Sequence, residues 1–145
     1  MTITITPYLL YADVDAALGF LSRAFGFEEV LRYTGAEGRV NHAEASLGDS
    51  HVYLGVPTTA GSPYRNPAAL GAATVLVMVD GVDDVDALCE RARAAGAQIT
   101  EEPADQDYGD RRFGAADPEG HKWYFAQKIA QTAPEDWGAT TPAEV

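Results

Sequence analysis

The sequence predicts an α+β fold made of two tandem βαβββ modules. The first observation is a repeat at an offset of 70 positions, in which Ala17, Leu18, Arg23, Ala24 and Gly26 recur as Ala87, Leu88, Arg93, Ala94 and Gly96. The second is that the same offset pairs the run 51–54 with the run 121–124. The third is that each copy combines one amphipathic helix with several strand-like runs. A repeat of this length is a complete supersecondary unit, so we expect the two modules to form one curved mixed sheet with a concave cleft.

The first module begins with a strand over residues 3–11, which are rich in β-branched and aromatic side chains. An aspartate at 13 or 15 caps a helix that runs to about Ala24, because its carboxylate can accept hydrogen bonds from unpaired amides. Gly26 is the expected C-terminal cap. Three further strands follow, over residues 27–33, 39–47 and 51–56.

The second module repeats this order. A buried strand covers 74–79, a helix covers 84–95, and the remaining strands cover 97–102, 111–116 and 121–127. Proline and glycine residues mark 57–73 as the linker between the modules. We therefore expect one domain over residues 1–131, with repeats at about 3–56 and 74–128, and a C-terminal tail over 132–145.

Charge and composition restrict the function. The chain of 145 residues has a formal net charge of -12, which argues against binding nucleic acid or anionic membrane surfaces. It has no apolar run long enough to span a membrane and no signal-peptide pattern, so we expect a cytoplasmic protein. The single cysteine, Cys89, cannot form an internal disulfide and is expected to pack in the second helix.

Three motifs resemble one known family. They are Asp-Val-Asp-Ala-Ala-Leu at 13–18, Ala-Phe-Gly-Phe at 24–27 and Ala-Ala-Asp-Pro-Glu-Gly-His-Lys-Trp-Tyr-Phe-Ala at 115–126. With the repeat, they look like the vicinal oxygen chelate superfamily, which includes glyoxalase I, extradiol dioxygenases, fosfomycin-modifying enzymes and bleomycin-binding resistance proteins. The resemblance covers about residues 3–128. It implies the glyoxalase/bleomycin resistance fold, a cleft that binds a small molecule, and a homodimer.

Catalytic members of that family hold a divalent metal with His and Glu at four positions. The resemblance carries these positions over to Thr6, Leu54, Thr74 and Tyr124. None of the four is a good ligand for a divalent metal, which prefers imidazole, carboxylate or thiolate. The chain therefore looks like the metal-lacking, bleomycin-resistance-like subgroup, and we expect neither a metal nor another cofactor. The same four residues become candidate ligand contacts.

Polar residues on the cleft-facing strands supply the remaining candidates. His42 and Glu44 alternate along one strand, so both side chains face one way. They are tentative catalytic residues, although a buried histidine satisfied by a neighbouring carboxylate is an equal interpretation. Arg112 is the repeat partner of His42 and can bind a carboxylate or phosphate unless an acidic neighbour (Asp107, Asp110 or Glu44) neutralises it. Tyr108 and Tyr124 are the aromatic candidates.

Three functions remain open from the sequence. The first is a metal-independent protein of antibiotic-resistance type that binds an apolar or cationic small molecule in the cleft between the repeats. The second is a metal-independent isomerase, epimerase or lyase-like enzyme that uses His42 as a general base. The third is a metal-dependent glyoxalase or dioxygenase, which the replaced ligands argue against.

Overall fold

The computed structural model describes residues 4–57 and 76–142 of the chain. The first module has one helix and four strands: β1 (Tyr8–Leu10), α1 (Val14–Phe25), β2 (Glu28–Thr34), β3 (Val40–Leu47) and β4 (Ser50–Gly55). The second module has β5 (Leu76–Asp80), α2 (Val85–Ala94), β6 (Gln98–Asp105), β7 (Asp110–Ala116) and β8 (Lys122–Lys128). The predicted order is confirmed in both modules. The linker at 57–73, apart from Pro57, and the candidate Thr74 lie outside the described residues.

Both helices begin after an aspartate cap, which the sequence predicts for the first helix. The Asp13 carboxylate accepts a hydrogen bond from the Ala16 amide at 3.0 Å, and Asp84 does the same for the Ala87 amide. The first helix ends at Gly26, which has a left-handed φ of 83°. Glycine adopts this conformation without the penalty that a Cβ atom would bring. Neither of these helices, nor any other in the described part, is long and apolar enough to cross a membrane.

The strands form two four-stranded sheets, which corrects the expectation of one curved sheet. The strand orders are β1-β4-β3-β2 and β5-β8-β7-β6, with the pairs β1–β4 and β5–β8 parallel and all other pairs antiparallel. Each sheet is therefore mixed, and each belongs to one module. In the described residues β1 and β5 are both edge strands.

The helices pack together between the two sheets and create a single core. Phe25 of α1 lies against Trp123 and Phe125 of β8, with ring centroids 5.5 Å and 4.6 Å apart. Arg91 of α2 donates hydrogen bonds to backbone carbonyls at the end of α1. The helix-facing sides of both sheets border this core. The opposite, outer faces of the two sheets therefore point away from the shared core and not toward each other.

Asp117 and Glu119 join the two modules through hydrogen bonds. The buried Asp117 carboxylate accepts hydrogen bonds from the Tyr11 hydroxyl at 2.6 Å and from Trp123 Nε1 at 3.2 Å. Glu119 of the same turn accepts hydrogen bonds from two backbone amides at the start of α1. That position also favours a carboxylate because it lies at the positive end of the helix dipole. The Asp-Pro-Glu-Gly turn thus joins module two to module one.

The two other histidines of the chain lie near the start of the last strand of each module. His121 Nε2 contacts the Leu10 carbonyl, and its ring packs on Tyr11. His51 is exposed at the start of β4. Cys89 is fully buried in α2, as expected for a packing residue.

Candidate functional site

The outer face of the first sheet carries a compact polar and aromatic cluster, here called the His42 face (Tyr8, His42, Glu44 and Tyr53). His42 and Glu44 lie on β3, and Tyr53 is directly opposite Glu44 in the register of β4. The His42 ring lies between the two tyrosines, at centroid distances of 5.5 Å from Tyr8 and 5.4 Å from Tyr53. The predicted alternation of β3 is confirmed, because Ala43 and Ala45 face the core instead.

Both ring nitrogens of His42 have hydrogen-bond partners. Nε2 lies 3.0 Å from Glu44 Oε2, and Nδ1 lies 2.8 Å from the Tyr8 hydroxyl. An ionised carboxylate only accepts, so the consistent arrangement has Nε2 donating to Glu44 and Nδ1 accepting from Tyr8. The imidazole is fully buried. To act as a general base toward a ligand, His42 would have to exchange its Tyr8 contact for the ligand.

The outer face of the second sheet carries a different cluster, here called the Arg112 face (Glu101, Arg112 and Tyr124). The Arg112 guanidinium stacks over the Tyr124 ring at 4.6 Å from its centroid. The Tyr124 hydroxyl donates to Glu101 Oε2, and Arg112 Nη2 lies 3.7 Å from Glu101 Oε1. The hydrogen bond to Glu101, together with burial, raises the pKa of Tyr124.

The neighbouring residue Tyr108 extends the aromatic surface toward the tail. Its ring packs edge-on against Trp137 at a centroid distance of 5.9 Å, and Thr132 donates a hydrogen bond to its carbonyl. Trp137 ends a short 3-10 helix, Pro134–Trp137, and remains 43% exposed. The first part of the predicted tail is thus held on the domain beside the Arg112 face.

The arginine that reaches this face has an unexpected partner. Sequence reasoning offered Asp107, Asp110 or Glu44 as the residue that neutralises Arg112, and the structure shows Glu101 in that role. The neighbouring Arg111, not Arg112, forms ion pairs with Asp86 and Asp105. Glu101 lies on β6, where the register is irregular on both sides of it, so alternation along the strand could not place it.

The register also corrects one candidate ligand contact. Leu54 is opposite Ala43, fully buried in the core, so it faces the helices and not a cleft. The equivalent of Tyr124 is Tyr53, because Tyr53 pairs with residue 44 and Tyr124 with residue 114. The repeat offset is therefore 71 in the last strand. Between the equivalent pairs 47/50 and 117/121 the turns enclose two and three residues, so the second turn is one residue longer. A slip of one residue exchanges the faces of a strand.

A groove between the modules holds another candidate. Thr6 does not join either face but lines a cavity of about 840 Å³, here called the intermodule groove. Its floor is apolar, with Phe27 and Val77 among its residues. Acidic Asp49, Asp80 and Asp83 also line it, and neither lysine nor arginine is among the described residues of its lining.

The donor chemistry of the family's metal positions does not fit a divalent metal. Thr6 offers a hydroxyl, Tyr53, which takes the place of Leu54 in the observed register, offers a phenol, and Tyr124 offers a phenol whose pKa is raised by Glu101. Raising that pKa disfavours the phenolate that a metal would need. Within residues 4–57 and 76–142, no three His, Cys, Asp or Glu side chains cluster in a way that could hold a metal ion.

Comparison with known proteins identifies the family. A model of the Glyoxalase/Bleomycin resistance protein/Dioxygenase superfamily matches residues 4–125. The chain belongs to this superfamily. The resemblance inferred from the repeat, the helix ends and the Asp-Pro-Glu-Gly turn is thereby confirmed.

Several relatives support the assignment. An uncharacterised protein of Mycobacterium tuberculosis strain H37Rv, Rv0887c, is 34% identical over 129 residues, which cover 88% of this chain and 75% of the relative. TioX from Micromonospora sp. ML1 has a crystal structure that matches with a TM-score of 0.72 and 34% identity, covering 88% of this chain and 100% of TioX. TnmS3, an antibiotic binding protein from Streptomyces sp. CB03234, matches with a TM-score of 0.57 and 21% identity over 88% of this chain and 98% of TnmS3.

Proposed function

We propose that the protein binds a small aromatic molecule, uncharged or cationic, without a metal, and that the Arg112 face supplies the main contacts. The observation that carries this proposal is the Arg112 guanidinium stacked over the Tyr124 ring, with Tyr108, which packs against Trp137, near enough to act electrostatically on Tyr124. Small-molecule sites are typically aromatic surfaces with a few fixed polar groups. The antibiotic-binding protein TnmS3 has the same fold, which makes a natural antibiotic a reasonable ligand class for a cytoplasmic resistance protein.

The proposal includes a homodimer. The His42 face and the Arg112 face lie on opposite outer sides of one chain, so each forms only one wall of a cleft. A second copy could place its His42 face opposite the Arg112 face of the first. The exposed apolar residues Ile5 and Met78, 91% and 47% exposed, lie on or next to the edge strands β1 and β5. Light scattering after size exclusion should give twice the chain mass of 15.5 kDa; a monomer at all concentrations would contradict this part.

A second location is favoured by one observation. The intermodule groove has a volume of about 840 Å³, within the range of drug-sized sites, and an apolar floor with acidic residues around it. An apolar or cationic ligand would suit this lining equally well. The groove is separate from the Arg112 face, so the two locations predict different mutant effects.

A thermal-shift screen of aromatic antibiotics and cationic dyes, followed by calorimetry on the hits, tests the proposal. Tyr124→Ala should weaken binding at least tenfold, since truncating an aromatic anchor costs about 2 kcal/mol or more. Thr6→Trp, which would fill part of the groove, should leave binding unchanged. Arg23→Ala, an exposed arginine on α1, is the control for nonspecific loss of charge. Loss of binding in Thr6→Trp alone would move the site to the groove.

An enzymatic role for His42 remains the alternative. The Tyr8–His42–Glu44 hydrogen-bond chain is the observation that favours it, because such chains can relay a proton from a hydroxyl to a carboxylate. Turnover of a bound ligand that is lost in His42→Ala, while binding is retained, would support this role. Binding without any chemical change in the ligand would contradict it.

A further inference from the structure

We propose that Glu101 sets the charge preference of the Arg112 face, so that this face accepts uncharged or cationic aromatic molecules and rejects aromatic anions. The inference rests on the proposed function, because it assigns the ligand class of the same face. The inference goes beyond that function by naming Glu101 as the residue that determines the charge preference. Without Glu101, the stacked arginine would make the same surface a site for carboxylates.

Glu101 uses both of its carboxylate oxygens on the two functional side chains of the face. Oε2 accepts the hydrogen bond from the Tyr124 hydroxyl, and Oε1 lies 3.7 Å from Arg112 Nη2. The Arg112 side chain is only 24% exposed, whereas that of Glu101 is 41% exposed. The carboxylate is therefore on the more accessible side of the ion pair, where an approaching ligand meets it.

Local backbone features bring these three side chains together. The pairing of β6 with β7 shifts both before and after Glu101, which frees it from regular alternation. On β7 the residue opposite Tyr124 is Gly114, and a Cβ atom there would lie 2.8 Å from Tyr124 Cε1. The missing side chain lets the ring of Tyr124 lie across the strand, under the guanidinium. The arrangement is thus built into the sheet and does not depend on a ligand.

The electrostatics of the cluster follow from these contacts. A free arginine presents a planar fork that matches a carboxylate and binds it bidentately. Here Glu101 already pairs with the guanidinium, and Arg112 Nε is buried with no hydrogen-bond partner in the described structure, so it is not presented to solvent. The pair is neutral, while the chain carries a net charge of -12. An anion would have to displace Glu101 and would be repelled by it.

A matched control lies at the next position along the strand. Glu102 carries the same charge, but its carboxylate lies 2.6 Å from Arg93 of α2, away from the Arg112 face. Glu101→Gln and Glu102→Gln therefore remove one identical charge each from adjacent residues. The glutamine at 101 can still accept the Tyr124 hydrogen bond, so the first variant changes the charge and preserves the shape.

The test uses two probes that share one ring system, 2-naphthoate and 2-naphthylmethylammonium, in equilibrium dialysis at low ionic strength. The wild-type protein should bind the ammonium probe and bind the carboxylate probe poorly. Glu101→Gln should increase naphthoate affinity about tenfold, as expected for removing a unit charge a few ångströms away at a partly exposed site. Glu102→Gln should change it less than twofold. Adding Arg112→Gln to Glu101→Gln should abolish the gain, because the freed cation is then absent.

The outcomes separate the inference from the proposed function. If the wild-type protein binds the ammonium probe and Glu101→Gln does not change the ratio of the two affinities, the charge-preference inference is wrong and the binding function stands. Equal gains in Glu101→Gln and Glu102→Gln would also overturn it, because the effect would then be one of net charge. If neither probe binds any of the proteins, the proposed function itself fails, and the inference fails with it.

Discussion

The hydrogen bonds of Asp117 that join the two modules predict that Asp117→Ala destabilises the whole domain. Asp117 is 5% exposed and its carboxylate accepts four hydrogen bonds. Two come from the side chains of Tyr11 and Trp123, and two come from backbone amides of the turn, at residues 119 and 121. Alanine would leave all four donors without this acceptor.

The magnitude follows from the burial of those donors. Tyr11 is 1% exposed and Trp123 is 0% exposed, so neither can turn to bulk water. Each buried donor left without an acceptor costs about 1–3 kcal/mol. The two turn amides lie close to solvent and can be rehydrated, so they add little. For two such donors we therefore expect a loss of about 2–6 kcal/mol, which is a large part of the roughly 5–15 kcal/mol that stabilises an ordinary domain.

Urea denaturation followed by tryptophan fluorescence and by circular dichroism measures this loss. The control is Asp49→Ala, because Asp49 is an exposed aspartate in the corresponding turn of the first module, and it should change the free energy of unfolding by less than about 0.5 kcal/mol. Asn at position 117 should cost about half as much as Ala, since its amide oxygen can still accept two of the hydrogen bonds. Combining Asp117→Ala with Tyr11→Phe should be less than additive, because both changes remove the same hydrogen bond.

One result would refute this account of the Asp117 hydrogen bonds. If Asp117→Ala lowers the free energy of unfolding by less than about 1 kcal/mol with an unchanged m value, the buried donors have found other partners. The hydrogen bonds of Asp117 would then not be what holds the Asp-Pro-Glu-Gly turn against the first module.

Three further predictions come from single side chains. Burial and the neighbouring Asp117 raise the pKa of Tyr11 in the folded protein. The stability that this group contributes is therefore complete below about pH 10, near the pKa of tyrosine in the unfolded chain, and is lost as the pH rises further. Above that pH the free energy of unfolding should fall less steeply in Tyr11→Phe than in the wild type, by up to about 1.4 kcal/mol per pH unit. Glu101→Gln should lower the pKa of Tyr124, seen as an earlier step in a difference titration of tyrosinate absorbance. Gly26→Ala should destabilise by about 1 kcal/mol at its positive φ, whereas Gly19→Ala inside α1 should stabilise slightly if Arg23 moves aside.

The sequence was sufficient for the fold because its signals are local and occur twice. Asp13 and Asp84 each precede an apolar helix face, and each caps a helix in the structure. Alternation along β3 correctly separated the core residue Ala43 from His42. These features depend only on neighbours in the chain, so propensity and periodicity capture them.

The site was only partly predictable because it depends on pairing between strands. Arg112 and Tyr124 are candidates from the sequence and lie together in the structure, but the residue that links them, Glu101, lies on a strand with an irregular register. Tyr8 and Tyr53 were missed, although Tyr8 is an aromatic residue on the first strand and could have been found by placing it opposite β4. A periodic pattern fixes which residues share a face, and it does not fix which strands bring two faces together.

Comparing the two faces shows how one repeat has given two different surfaces. Residue 44 of the first module is a glutamate bonded to His42, and the equivalent residue 114 is a glycine that makes room for Tyr124. The negative charge in the second module comes instead from Glu101, on the neighbouring strand, and it pairs with a fixed cation. The first face therefore combines a buried imidazole with a carboxylate, and the second combines a stacked guanidinium with a carboxylate. The two side chains belong to separate hydrogen-bonded clusters on separate sheets, so the effects of His42→Gln and Arg112→Gln on ligand binding should be additive in free energy, and a double variant that departs clearly from the sum would contradict this separation.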